Sequence, residues 1–178
     1  MSKTIGKAKF DKSYILCTTV KLLVIIKLMA SLFLKKLETK VAVDEVIRNT
    51  KQKVVVIRFG RREDIVCMQM DEILFKCEVE LSRMADIYTV EAETIAIYCQ
   101  YFDISLIPAT VFFFNGQHIK VDYGTPDHTK FIGAFFTRQD CIDLVEVIYR
   151  GANRGKVIIA CPIEKSHIPS YELTYRDI

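Results

Sequence analysis

The sequence predicts a single α/β domain built on a central mixed β-sheet flanked by helices. Three observations carry this expectation. Residues Lys53–Phe59 form a near-continuous apolar run, the pattern of a strand buried on both faces of a mostly parallel sheet. Such runs alternate with segments of helical period through the first half of the chain. Asn115-Gly116 then joins two further apolar runs, a strong two-residue hairpin signal, and a capped helix follows.

The elements follow in order. Ser31–Lys36 reads as a short first strand. Val41–Asn49 has apolar positions 41, 43, 46 and 47, a short amphipathic helix. After the strand Lys53–Phe59, Val66–Met84 reads as a long helix with Val66, Met70, Ile73, Leu74, Cys77 and Leu81 on one face. Asp86–Val90 is the next strand and Glu93–Tyr101 another short helix. Ala109–Phe114 and Gln117–Asp122 form the hairpin, and the loop Gly124–Lys130 leaves it. Thr137 and Asp140 are spaced as a capping box, opening a helix over Asp140–Tyr149 that buries Cys141, Leu144, Val145 and Ile148. Arg150 followed by Gly151 marks its end. Lys156–Ala160 is a last short strand, and the tail from Pro162 is polar and aromatic. The order β-α-β-α-β-α-β-β-α, a crossover unit followed by a hairpin and a terminal helix, is the arrangement of the thioredoxin fold.

Bulk properties exclude several classes. The chain has 178 residues, enough for one domain with a sizeable core. At 51% hydrophobic and 26% charged residues it is globular in composition. The net charge of +3 is uneven: six lysines against one aspartate lie within residues 1–28, and the remainder is net acidic. That balance gives no electrostatic case for direct nucleic-acid binding. The six cysteines (Cys17, Cys67, Cys77, Cys99, Cys141 and Cys161) contain no Cys-x-x-Cys pair, and the three histidines are dispersed, so neither a zinc site nor another cofactor site is expected. Free cysteines within helical patterns behave as small apolar residues and point to a reducing compartment, cytosol or nucleus.

Residues Tyr14–Leu34 are apolar enough to suggest a membrane span, but Lys21 and Lys27 would each cost a few kcal/mol at mid-bilayer, so no membrane association is expected. A signal peptide would expose several unpaired thiols to an oxidising compartment. The favoured expectation is an atypical basic and apolar extension over residues 1–28, with Met29 as the true start. The thioredoxin-like domain then covers residues 29–162 and a tail covers 163–178.

The chemistry-bearing landmark is Gly60–Met70. In thioredoxins the redox motif follows the central strand. Its first cysteine caps the helix, where amides and dipole lower the thiol pKa, and the second lies three residues later. Laid on this chain, those positions are Asp64 and Cys67. A carboxylate cannot attack a disulfide, and its charge would raise the Cys67 pKa. Asp64 is among the best N-cap residues, worth about 1 kcal/mol, and Cys67 suits a buried first turn. These structural roles outweigh a redox one; the alternative function is a monothiol redox protein using Cys67. Pro108, in Ile-Pro-Ala just before the hairpin, stands where this fold carries its cis-proline; a fold-fixing turn and a surviving peptide groove both remain open. Asp71-Glu72 reads as a solvated helix face. His118 and His128 have no nucleophile placed for them, and no glycine-rich loop is present to cradle a phosphate.

Three long stretches carry a resemblance: VVVIRFGRREDIVCMQMDEIL from Val54, YFDISLIPATVFFFNGQHIKVDYGTPDHTKF from Tyr101, and IDLVEVIYRGA from Ile142. They resemble the DIM family of thioredoxin-like splicing proteins, over about residues 29–178. In that family an aspartate and a cysteine stand at the positions of Asp64 and Cys67. Two departures are visible: Ile65 where the family has proline, and the first 28 residues, which are foreign to it. The resemblance implies a nuclear protein of pre-mRNA splicing that is a binding module without cofactors. Its implied partners are spliceosomal tri-snRNP proteins, including a pre-mRNA-processing factor with helical repeats. Self-association and a link to cell-cycle progression are implied as well. The candidate partner-binding residues are Arg61, Arg62, His128 and Tyr171, in the loops Gly60–Ile65 and Gly124–Lys130 and in the tail.

Overall fold

A computed structural model describes residues 32–171. The extension over residues 1–28 and the last seven residues lie outside them. The described chain runs β1 (Lys35–Leu37), α1 (Lys40–Asn49), β2 (Val54–Gly60), α2 (Ile65–Leu81), β3 (Ala85–Glu91), α3 (Ala96–Tyr101), β4 (Ala109–Phe114), β5 (Gln117–Asp122), β6 (Phe131–Ile132), α4 (Arg138–Asn153) and β7 (Ile158–Ala160), then a 3₁₀ turn at Lys165–His167. The strands make one mixed sheet in the order β1-β3-β2-β4-β5-β7, with β6 paired to β4. β1, β3 and β2 are parallel, β2-β4 and β4-β5 are antiparallel, and β7 is parallel to β5.

β2 lies at the centre and is buried along its whole length. Period-2 alternation divides its side chains between two cores. Val54 and Val56 join the core under α2 and α4, together with Phe112, Leu74, Leu144 and Ile148. Val55, Ile57 and Phe59 join the core under α1 and α3, with Val43, Phe102 and Phe113. Arg58 and Gly60 share the parity of Val54 and Val56, so both face α2. At the outer edges of the described sheet, β1 and β7 are only three residues long, and β1 carries Lys35 and Lys36.

Several expectations need correction. The first described strand is Lys35–Leu37, and Ser31 lies outside the described residues. The helix expected from Val66 starts at Ile65, because Asp64 caps it, and ends at Leu81. Its buried stripe is Cys67, Met70, Asp71, Leu74, Cys77 and Leu81, and Val66 is exposed. Asp71, read from sequence as solvent-facing, is wholly buried. α4 does not end at Gly151. A Cβ there would lie 2.3 Å from Ile159 Cδ1, so the glycine lets β7 pack against the helix. The chain leaves the helix four residues later at Gly155, whose φ of +80° suits the left-handed end position. The two-residue strand β6 was missed. The tail after Pro162 is partly built into the domain: Ile163 is buried and Ile168 packs on the same core.

Candidate functional site

The β2–α2 junction is assembled from local signals. β2 ends at Gly60, three exposed residues follow (Arg61, Arg62 and Glu63), and Asp64 starts the helix from an extended conformation. Its Oδ1 accepts a hydrogen bond from the Cys67 amide at 2.8 Å. That satisfies one of the amides left free in a first helical turn. The carboxylate is therefore committed to the backbone of the residue whose thiol it stands beside.

Cys67 is fully buried. Burial, chiefly, pushes its thiol up to about 12, and the Asp64 carboxylate adds to the rise. A backbone hydrogen bond from Arg61 and the charge of Arg58 act in the opposite direction and fall short. Buried and with its pKa raised, the thiol is held in its protonated form at neutral pH.

Beneath it lies a feature the sequence reading missed. Arg58 Nε donates to Asp71 Oδ1 at 2.7 Å and Arg58 Nη2 donates to Asp71 Oδ2, a bidentate ion pair with exposures of 1% and 0%. The remaining nitrogen, Nη1, is buried without a hydrogen-bond partner, as is Oγ1 of Thr110, the cross-strand neighbour of Arg58. A Cβ built on Gly60 would lie 2.5 Å from Cys67 Sγ and 2.9 Å from Arg58 Nη1. Glycine is thus required where the strand passes the thiol and the guanidinium. The signal was present: an arginine inside a strand buried on both faces needs a counter-charge, and Asp71 lies one helical turn after Cys67, on the same stripe.

Pro108 is preceded by a cis peptide bond and is buried, and its carbonyl accepts from the Gly133 amide at 2.8 Å. The other candidate residues lie at three places. Arg61 and Arg62 are exposed in the loop before α2. There Arg61 Nε meets Glu93 at 2.8 Å, and the Arg62 amide donates to Glu91 at 3.2 Å. His128 is half-buried, with Nδ1 3.5 Å from Asp122 Oδ1. Its loop is tied down by Asp127, which accepts from the Thr129 amide and hydroxyl and from the buried Lys130 ammonium. Tyr171 is half-buried and borders a cleft of about 950 Å³ that is also lined by Tyr101, Lys120, Asp127 and Lys130.

Among the described residues no cluster of three His, Cys, Asp or Glu side chains is arranged to hold a metal ion. No described helix is long and apolar enough to cross a membrane.

A family model described as "Mitosis protein DIM1" matches residues 33–165. Thioredoxin-like protein 4B of Homo sapiens is 61% identical over 148 residues, 83% of this chain and 99% of that protein. Spliceosomal protein DIB1 of Saccharomyces cerevisiae is 32% identical over 139 residues, 78% of this chain and 97% of that protein. Mitosis protein dim1 of Schizosaccharomyces pombe is 32% identical over 136 residues, 76% of this chain and 96% of that protein. Among solved structures, oxidised mitochondrial thioredoxin 3 of Saccharomyces cerevisiae superposes with a TM-score of 0.53 at 16% identity, over 66% of this chain and 97% of that one. Fasciola hepatica thioredoxin gives 0.52 at 14% identity, over 64% and 97%. At those identities the likeness is one of fold.

Proposed function

The chain belongs to the DIM1 family of thioredoxin-fold proteins, and from that membership we propose that it is a non-catalytic adaptor in pre-mRNA splicing with a role in cell-cycle progression. The observation that carries this reading is the identity of about a third with a protein named spliceosomal, along nearly the full length of that protein. The relative named for mitosis supports the cell-cycle part.

The β2–α2 junction supports the absence of catalysis. On a thioredoxin backbone, Asp64 stands in the place of the attacking cysteine and Cys67 in that of the resolving one. The first position is spent on capping, through the 2.8 Å bond to the Cys67 amide. The second is a thiol held at about 12. A resolving thiol with no partner and almost no thiolate cannot complete a disulfide exchange cycle.

The proposed setting is the nucleus, and the proposed partners are proteins of the spliceosomal tri-snRNP, among them a pre-mRNA-processing factor with helical repeats. The proposed contact surfaces are the exposed loop with Arg61 and Arg62 and the cleft bordered by Tyr171. Self-association through a second copy is part of the same proposal.

The test is affinity purification from nuclear extract of two tagged chains, residues 1–178 and 29–178, read by mass spectrometry. Enrichment of tri-snRNP proteins by both is the expected result. Enrichment by the shorter chain alone assigns the first 28 residues a redirecting effect. Enrichment by neither overturns the splicing assignment and leaves the fold.

A further inference from the structure

We propose that Cys77 and Cys141 are an oxidation site, closing to a disulfide that joins α2 to α4 when a peroxide reaches the core. Both residues are fully buried and belong to one apolar cluster. Cys77 lies on the inner stripe of α2, and Cys141 lies in the first turn of α4. The Cys77 thiol donates to the carbonyl oxygen of Arg138 at 3.6 Å, which places its sulfur over the turn that carries Cys141. The two thiols lie close enough for each to shift the titration of the other. Neither thiol has a part in the site at Cys67.

The pair is chemically unequal. The neighbouring Cys141 thiol, with smaller help from the Arg138 guanidinium, holds the Cys77 thiol below its ordinary range although burial opposes it. The Cys77 thiol beside it and complete burial hold Cys141 well above its ordinary range. The two thiols are shifted in opposite directions, as those of an attacking and a resolving thiol are. Cys67 has no such neighbour, and its burial is not offset.

The oxidant is a hydroperoxide, with hydrogen peroxide small and uncharged enough to enter during local opening of the first turn of α4. The Cys77 thiolate attacks one peroxide oxygen. An S–O bond forms, the O–O bond breaks, and the departing hydroxide takes a proton and leaves as water. Sulfur is oxidised to the sulfenic acid and the peroxide is reduced. Cys141 sulfur then attacks Cys77 sulfur: an S–S bond forms, the S–O bond breaks, and the hydroxyl leaves as a second water with the Cys141 proton. Two thiols and one hydrogen peroxide give one disulfide and two waters. A small thiol such as glutathione returns the pair to its reduced state by two successive exchanges.

The turn that would be fixed also carries the end of the chain. The Thr137–Asp140 capping box opens α4, and Asp140 Oδ1 lies 3.1 Å from His167 Nδ1, with the His167 ring tilted against Phe136. Oxidation therefore acts at the point where residues 165–169 dock.

The experiment treats the reduced full chain with hydrogen peroxide, blocks remaining thiols with an alkylating reagent, and maps peptides by mass spectrometry. The expected result is a peptide containing Cys77 linked to one containing Cys141, two hydrogens lighter than the sum, and reversal by glutathione. The thermal midpoint should rise on oxidation in the wild type and stay unchanged in Cys141→Ala and in Cys77→Ala. The mapping stands on the wild type alone if neither variant folds. Recovery of both cysteines alkylated overturns the proposal. So does their recovery as unlinked sulfinic acids, or as disulfides to Cys17, Cys67, Cys99 or Cys161.

Discussion

Removing Asp71 should destabilise the protein more than removing any surface charge. In Asp71→Ala the Arg58 guanidinium, 1% exposed, loses both of its carboxylate contacts while staying out of bulk solvent. Breaking a buried pair from one side costs about 3–5 kcal/mol. A domain of this size has only about 5–15 kcal/mol in total, so the variant should sit close to its unfolding threshold. At about 2–4 °C per kcal/mol, its thermal midpoint should fall by roughly 6–20 °C. Nη1 is already without a partner in the wild type, so the variant leaves the whole group unsatisfied. The paired replacement Arg58→Met with Asp71→Leu should behave differently. It removes both charges and keeps apolar volume, and such exchanges are often neutral or stabilising by about 1–4 kcal/mol. Urea unfolding followed by circular dichroism measures all three proteins, with a constant slope confirming a common unfolding transition. A cost below about 1 kcal/mol for Asp71→Ala would refute the reasoning. A double variant as unstable as the single one would refute it equally, because the charges would then not be the source of the loss.

Three further outcomes are expected. Gly60→Ala should destabilise by roughly 1–3 kcal/mol, since its Cβ meets Cys67 Sγ at 2.5 Å; adding Cys67→Ala should recover part of that loss in a double-variant cycle. Cys67 should resist alkylation in the native protein at neutral pH and react on unfolding. Its folded pKa of about 12 exceeds the unfolded value of about 8.5, so its contribution to stability is complete below the unfolded value and is lost as pH rises toward 12. Urea midpoints in wild type and Cys67→Ala over that range test it, and equal pH slopes would count against it. Thr137→Ala should lose about 1 kcal/mol by removing the hydroxyl that accepts from the Asp140 amide at 3.1 Å, measured by the same unfolding assay. An unchanged midpoint would mean that water caps the helix equally well.

Local signals were the legible part of this fold. The hairpin was readable because Asn115 and Gly116 both adopt positive φ, +50° and +83°, as their type of turn requires. The capping box at Thr137 was readable because both of its hydrogen bonds join residues three apart. Asp64 as an N-cap was readable for the same reason. What was not readable depended on partners distant in sequence. Asp71 looked solvent-facing beside Glu72 until β2 brought Arg58 against it. Gly151 looked like a helix stop because its packing partner, Ile159, lies beyond the next turn. β6 is two residues long, below the length at which alternation carries information. The Cys67 thiol was expected to rise because of Asp64; it rises chiefly through burial, which no spacing rule supplies.

The short outer strands have a consequence for how this domain behaves in company. A sheet edge is a template on which any extended chain can polymerise, and long flat edges invite it. Here each described edge offers three residues, one of them bearing two lysines, so a neighbour would find few backbone groups to pair with and would meet positive charge. The domain can therefore be crowded against other proteins at high local concentration without sheets growing from one copy to the next. Pairing along an edge is thus disfavoured for any neighbour, whatever its sequence.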